Sequence, residues 1–296
     1  MNKLFTFLLL CFGISYGYAA LFYFLNVPFS GIYAVIIGAG YMFLPLISVL
    51  ITELVIFKSF NKEQLQISFK LNRWFILAIF LPPLVGFMAI GIALLLPGVQ
   101  YDPSMSAMIE KFAATMTPEQ LDQMNQSMAK LPFHPLWITV IQGIVAGLSI
   151  NAVAAFGEEI GWRGFMVKEI QGMKFITAAI IIGTIWGLWH APLILQGHNY
   201  PQHPQAGVIM MTAWCILLTF PFLYITLKSK SVIAAAFMHG TLNGTAGIGI
   251  MVLKGGNDLS VGVTGFAGFI ALILCIIALG IYDYFISKEK VMFSLI

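Results

Sequence analysis

The sequence predicts an all-α, polytopic membrane helix bundle, and three observations carry that prediction. Of its 296 residues, 59% are hydrophobic and only 9% are charged, whereas soluble domains carry about a quarter charged residues. Mean hydropathy is +0.92. Apolar runs near the ~20 residues that a bilayer crossing requires recur along the whole length. Such a length does not imply two soluble domains, because helices in lipid satisfy their own backbone and pack as one bundle. Residues 1–296 are therefore read as a single membrane-embedded domain, with the lipid bilayer as its solvent.

Eight spans are predicted, about eight helices in all, at 4–25, 32–57, 74–97, 136–160, 175–195, 207–227, 232–253 and 262–285. The first apolar run follows Lys3 and reaches Phe24, too long for a cleavable signal and long enough to cross. In the fourth, the apolar pattern continues past Glu159 through Phe165, Met166 and Val167. The acids are thus expected within the membrane rather than at its edge. With a cytoplasmic N-terminus, the loops on that side receive twelve of the fifteen basic residues, and the far side receives only Lys111, Lys130 and Lys254. Lys and Arg accumulate in cytoplasmic loops, so this asymmetry predicts both termini inside.

Residues 98–134 form the longest polar interruption, read as an outer amphipathic loop. Thr117 can cap a helix that has Pro118 at its first position. A short helical hairpin is expected there, with a lid or substrate-contact element as the alternative. The net charge of +3 is small and the basic residues lie in loops, so no nucleic acid partner is expected. Cys11, Cys215 and Cys275 fall far apart in apolar segments, which suggests neither a disulfide framework nor a cysteine metal site.

Chemistry concentrates in three apolar segments. Glu158-Glu159-Ile160-Gly161-Trp162-Arg163 puts two adjacent acids and a base where hydrocarbon penalises ionisable groups. On a helix Glu159 and Arg163 are four apart and face each other. Glu158 is turned by about 100° and can face elsewhere. Arg163 is expected to neutralise Glu159, leaving Glu158 to face a polar cavity as a general base. The bland alternative is a pair of interfacial charges at a helix end. His190 follows Trp186-Gly187-Leu188-Trp189 and precedes Ala191-Pro192. A lone His among aromatics is as readily structural as catalytic, and Pro192 frees carbonyls that such a His could satisfy. His239 and Asn243 are four apart on one helical face. They could hydrogen-bond neighbouring helices or form donors for a developing oxyanion. Gly240 and Gly244 would let another helix approach closely.

The remaining ionisable and polar residues read as support. Glu53 and Asp283, near span ends, are expected to snorkel or pair, and Asn151 could line the cavity. Gln142 precedes the acids on the same span. His134, His198 and His203 fall on the outer side; His198-Asn199-Tyr200-Pro201-Gln202-His203 reads as a plain polar loop, without the acidic or Cys partner that a metal site needs.

Together, Glu158-Glu159-x-x-x-Arg163, Trp186-x-x-x-His190 and His239-x-x-x-Asn243 resemble the three motifs of the CPBP family, the CAAX-protease and bacteriocin-processing intramembrane proteins that include the type II CAAX prenyl endopeptidases. The resemblance covers about residues 150–247, the expected catalytic core. One departure is Trp186, where the family's second motif usually begins with Phe. The resemblance implies an intramembrane glutamic endopeptidase with no cofactor and no metal. It implies that Glu158 activates water, that His190 assists, that His239 and Asn243 stabilise the oxyanion, and that Glu159 and Arg163 support the site. It also implies a peptide or protein substrate, with a prenylated peptide and a bacteriocin leader as alternatives, and an integral protein of the bacterial inner membrane. The cavity is expected to open towards the cytoplasm.

Other readings stay open at this point. Glu158, His190 and His239 could instead bind Zn²⁺ and leave a position for water, although no His-Glu-x-x-His occurs. A non-catalytic peptide-binding or bacteriocin-immunity scaffold would use the same cavity. A proton-relaying transporter is a weaker alternative, since no internal repeat is detectable.

Overall fold

The computed structural model describes residues 2–113 and 116–296. Residues 114 and 115 of the predicted outer loop lie outside the described residues, as does the side chain of Lys111 counted above. The chain is a helical membrane protein whose long elements run back and forth between two ends. They are α1 (Lys3–Phe24), α2 (Gly31–Ile56), α3 (Arg73–Ala93), α4 (Ser106–Ala113), α5 (Pro118–Ala129), α6 (Pro135–Gly147), α7 (Ile150–Glu169), α8 (Phe175–Trp189), α9 (Ala191–Ile194), α10 (Pro204–Ser229), α11 (Val232–Thr245), α12 (Ile248–Val252) and α13 (Phe266–Phe285).

The count of eight spans is not confirmed by helix length and composition. Among the described residues, five helices (α1, α2, α3, α10 and α13) are long and apolar enough to cross, and the bent pair α6–α7 makes six if it is one span. The shortfall has two causes. The fourth predicted span bends by 55° between Gly147 and Ile150, where the Ser149 hydroxyl donates to the Val145 carbonyl at 2.7 Å and competes with the helix ladder. The fifth and seventh close early. α8 has 15 residues and gives way after His190 to a separate turn containing Pro192, and α11 has 14 residues before the chain turns at Ala246. At ~1.5 Å per residue these reach only about two-thirds of a 30 Å hydrocarbon layer.

Close helix contact rests on glycine. A Cβ on Gly244 would lie 2.3 Å from the Gly143 carbonyl oxygen, and one on Gly240 would lie 2.5 Å from that of Gly147. The expectation for Gly240 and Gly244 thus holds, and it is reciprocated. Gly143 and Gly147 on α6 have the same four-residue spacing, so two small-residue stripes face each other and the backbones touch. The Gly183 and Gly187 stripe on α8 does the same against Ile216 and Thr212 of α10. These crossings hold α11 against α6 and α8 against α10, the elements that carry the second and third motifs.

The two ends differ in chemistry. At one, Lys168 lies 2.7 Å from Glu53, Lys3 lies 3.8 Å from it, and Lys228 lies 3.1 Å from Asp283. The Asn72 amide donates to the Ser229 carbonyl at 3.0 Å and the C-terminal Ile296 carbonyl accepts from Gly172. Glu53 and Asp283 pair, as expected, and both are fully buried. The loops predicted as outer gather at the other end. There, Gln100–Tyr101 (β1) pairs antiparallel with Leu253–Lys254 (β2), the His198 ring meets Phe29 edge-on, and His203 Nδ1 contacts Asp258 at 2.6 Å. The expected hairpin signal is present: Thr117 and Gln120 form a reciprocal capping box at the start of α5. The Asp102 carboxylate accepts from the Ser104 and Ser106 hydroxyls, which pull its carboxyl down to about 2.

Candidate functional site

The α7 helix is built to bury charge. It is α-wound through Glu159 and then π-wound over Ile160–Phe165, a local over-wide turn that often marks functional sites. Every residue from Gly157 to Val167 is buried. Arg163 and Glu159 are both fully buried and 3.1 Å apart, the i,i+4 pair predicted. Breaking such a pair leaves one uncompensated charge in a low-dielectric interior. The guanidinium also donates to the Thr219 hydroxyl at 3.1 Å and lies over the rings of Trp186 at 4.3 Å and Phe222 at 4.5 Å, so aromatic rings cover its faces in place of water, while its buried Nε has no partner among the described residues.

Glu158 takes the other direction. It is 2% exposed, and its Oε2 accepts from the Trp186 indole at 2.8 Å. Among the described residues it has no cationic partner within 4.0 Å. Trp186 was expected only as an aromatic that shapes the cavity. A phenylalanine has no ring N–H, so the departure from the usual motif supplies this chain with a donor aimed at Glu158.

His190 closes α8. Its Nδ1 lies 2.9 Å from the Trp186 carbonyl, four residues back. A carbonyl only accepts, so Nδ1 carries a proton, and in the neutral ring Nε2 keeps its lone pair. The carbonyl-satisfying role considered for a His beside Pro192 is therefore met by one nitrogen, and the other stays available. The ring packs edge-on against Trp189 at 4.8 Å between centroids.

On α11, His239 Nδ1 lies 2.8 Å from Glu159 Oε1. Glu159 thus receives Arg163 from its own helix and His239 from another. The His239 ring meets Trp186 at 5.7 Å and Phe222 at 5.8 Å, which fixes its orientation and turns Nε2 away from Glu159. Asn243, one turn on, is exposed. Asn151, expected as a possible lining residue, instead donates to the Gly240 carbonyl at 3.2 Å and ties α7 to α11.

These side chains converge. Glu158, His190, His239, Asn243 and Trp186 all line one cavity of about 290 Å³. Tyr41, Trp189, Leu193 and Leu242 supply apolar wall around these polar groups. The cavity extends to His198, Asn199 and Thr264, on loops of the end predicted as outer, and no basic-end loop lines it. The expected opening towards the cytoplasm and the charge-based orientation therefore cannot both hold. The sequence counted depth from the basic ends of the helices. It could not show that the bend after α8 folds the 195–203 loop over the site. Burial pushes His198 down to about 4, so it stands neutral near pH 7 at the cavity wall.

Several contributors carried no clear signal. Thr219, Phe222 and Tyr41 lie on other helices and have no motif spacing. Tyr41 donates to the Trp189 carbonyl at 2.7 Å and stacks on that ring. Trp214 lines the cavity with a buried indole N–H that has no partner among the described residues. The zinc alternative fares poorly on donor geometry. Among the described residues no three His, Cys, Asp or Glu side chains are grouped to hold a metal ion.

Comparison with known proteins agrees with the motif resemblance. Residues 132–245 match the family model described as type II CAAX prenyl endopeptidase Rce1-like, a stretch that encloses all three motifs. A CAAX prenyl protease 2 from Methanococcus maripaludis is 31% identical over 106 residues, covering 32% of this chain and 38% of the relative. The chain thus spans well under half the length of the curated relative it matches.

Proposed function

We propose, from the premise that residues 132–245 carry the Rce1-like type II CAAX prenyl endopeptidase match, that this protein is an intramembrane endopeptidase using a glutamate-activated water. The observation that carries the reading is the convergence of Glu158, His190, His239 and Asn243 on one cavity. Glu158 faces it with a single neutral donor, the Trp186 indole, so the carboxylate keeps lone pairs free to take a proton. A water between Glu158 and His190 Nε2 is deprotonated by the carboxylate and oriented by the imidazole. Its oxygen attacks the scissile carbonyl, and the proton passes to the leaving amine as the C–N bond breaks. The tetrahedral oxyanion is met by the Asn243 side-chain amide and His239 Nε2. His239 Nδ1 already donates to Glu159, so Nε2 donates only when the ring is the imidazolium. The adjacent Glu159 carboxylate supports that form.

The relative's name, CAAX prenyl protease 2, brings prenylated peptides forward as the substrate class, acting at a membrane proposed to be the bacterial inner membrane. Purified protein in detergent, tested on fluorogenic peptides with and without a prenyl group, decides the matter. Glu158→Gln should lower cleavage by about 10²–10⁴-fold and keep the thermal unfolding midpoint. Undiminished cleavage by Glu158→Gln would overturn the assignment, and cleavage lost on chelation would point to a metal instead.

A further inference from the structure

A second cavity, of about 400 Å³, lies far from the motifs at the basic end of the bundle, where α3 begins and α10 and α13 finish. Its lining is cationic and aromatic: Arg73, Lys228, Lys288, Trp74 and Tyr282, with Ser287, Ile286 and Glu289 completing it. The three cations are not equivalent. Lys228 is buried and committed to Asp283 at 3.1 Å and to the Ser287 hydroxyl and Glu289 carbonyl. Arg73 and Lys288 are exposed, and among the described residues neither has a carboxylate within 4.0 Å. The Arg73 guanidinium lies over the Trp74 ring at 5.0 Å, which holds its position and leaves its N–H groups free. Glu289 is the one acid of the lining. Its backbone carbonyl serves Lys228 and its side chain is exposed.

The surroundings say what would fill this space. Beside the cavity, Phe69, Leu71, Phe285 and Ile286 are each 68–75% exposed, an apolar surface that faces acyl chains in a membrane protein. The helices end at the same level: Asn72 caps the start of α3 and α13 ends at Phe285, so the cavity sits at headgroup depth, with Trp74 and Tyr282 as interfacial aromatics. A pocket with two free cations at headgroup depth, flanked by exposed apolar side chains, fits a phosphate that carries hydrocarbon tails.

We propose that this cavity binds the headgroup of an anionic phospholipid, its phosphate held by Arg73 and Lys288 and its acyl chains laid against Leu71, Phe285 and Ile286. The site is separate from the motif cavity and does not depend on the protease reading.

The test uses the full chain reconstituted in nanodiscs of phosphatidylcholine alone or with phosphatidylglycerol, with bound lipid counted by native mass spectrometry after gentle release. The wild type should retain phosphatidylglycerol in preference to phosphatidylcholine. Arg73→Gln/Lys288→Gln should lose about tenfold or more of that preference, at about 1 kcal/mol per basic residue near a charged surface. Both side chains are exposed, so the fold should survive, and a retained unfolding midpoint checks it. Lys290→Gln, which removes a charge at the same end but outside the cavity, should leave the preference intact. Equal retention of both lipids, or a preference unchanged in the double variant, would overturn the proposal. So would displacement of phosphatidylglycerol by millimolar inorganic phosphate, which would make this a free-phosphate site.

Discussion

Glu53 and Glu158 are both buried carboxylates in or beside π-wound turns, yet the chain treats them in opposite ways. Glu53 is ringed by Lys168 at 2.7 Å, Lys3 at 3.8 Å and the Ser59 hydroxyl at 2.8 Å. Glu158 has the Trp186 indole and an open cavity. Glu159, its neighbour in sequence, sides with Glu53, since Arg163 and His239 both reach it. Burial alone therefore does not mark a reactive acid here. Commitment does: a carboxylate saturated by cations fastens helices together, whereas one held by a single neutral donor keeps lone pairs to offer.

Substitutions at these acids can break or sharpen that contrast. Glu158→Gln carries the largest expected effect on chemistry, a fall in kcat/KM of about 10²–10⁴-fold, the usual worth of a general base, with stability nearly unchanged. Glu159→Gln should act mainly on stability, with a smaller fall in kcat because the His239 imidazolium loses its carboxylate partner. It leaves Arg163 buried beside a neutral amide, at a cost of about 3–5 kcal/mol, read as a lower unfolding midpoint in detergent; an unchanged midpoint would show that Glu159 is not the fastening acid. Asn243→Ala tests the far wall of the cavity. Loss of one oxyanion donor should lower kcat by about 10²–10³-fold while KM holds, and a change confined to KM would make Asn243 a binding residue. Lys168→Met should have the smallest effect. Lys3 and Ser59 still reach Glu53, so a loss of about 1–3 kcal/mol in stability is expected, with kcat/KM per folded molecule unaffected. A catalytic defect there would dissolve the distinction between the two regions.

Much of this was legible before any coordinates. Hydropathy marked the helical segments, and the i,i+4 spacing of Glu159 and Arg163 placed them against each other, because a 3.6-residue repeat leaves few alternatives. The same periodicity separated Glu158 from that pair. The division of the basic residues between alternate loops matched the two ends at which those loops gather. What could not be read were the partners that arrive from other helices. Thr219 and Phe222 complete the Arg163 environment from α10, and Gly143 and Gly147 answer Gly240 and Gly244 from α6. No local pattern links residues that distant.

Sequence by itself determined that this chain is a membrane helix bundle and which three segments carry the motif residues, since the cost of placing charge in hydrocarbon is a property of composition and period. Tertiary structure alone decided that Trp186 donates to Glu158, that His239 is tied to Glu159 while Asn151 is drawn away to Gly240, and that the cavity reaches the 195–203 loop rather than the basic end. Those outcomes depend on the bend in α6–α7, the early end of α8 and the glycine crossings. Each sets distances between helices, and hydrogen bonds, unlike hydropathy, depend on distances of a few tenths of an ångström.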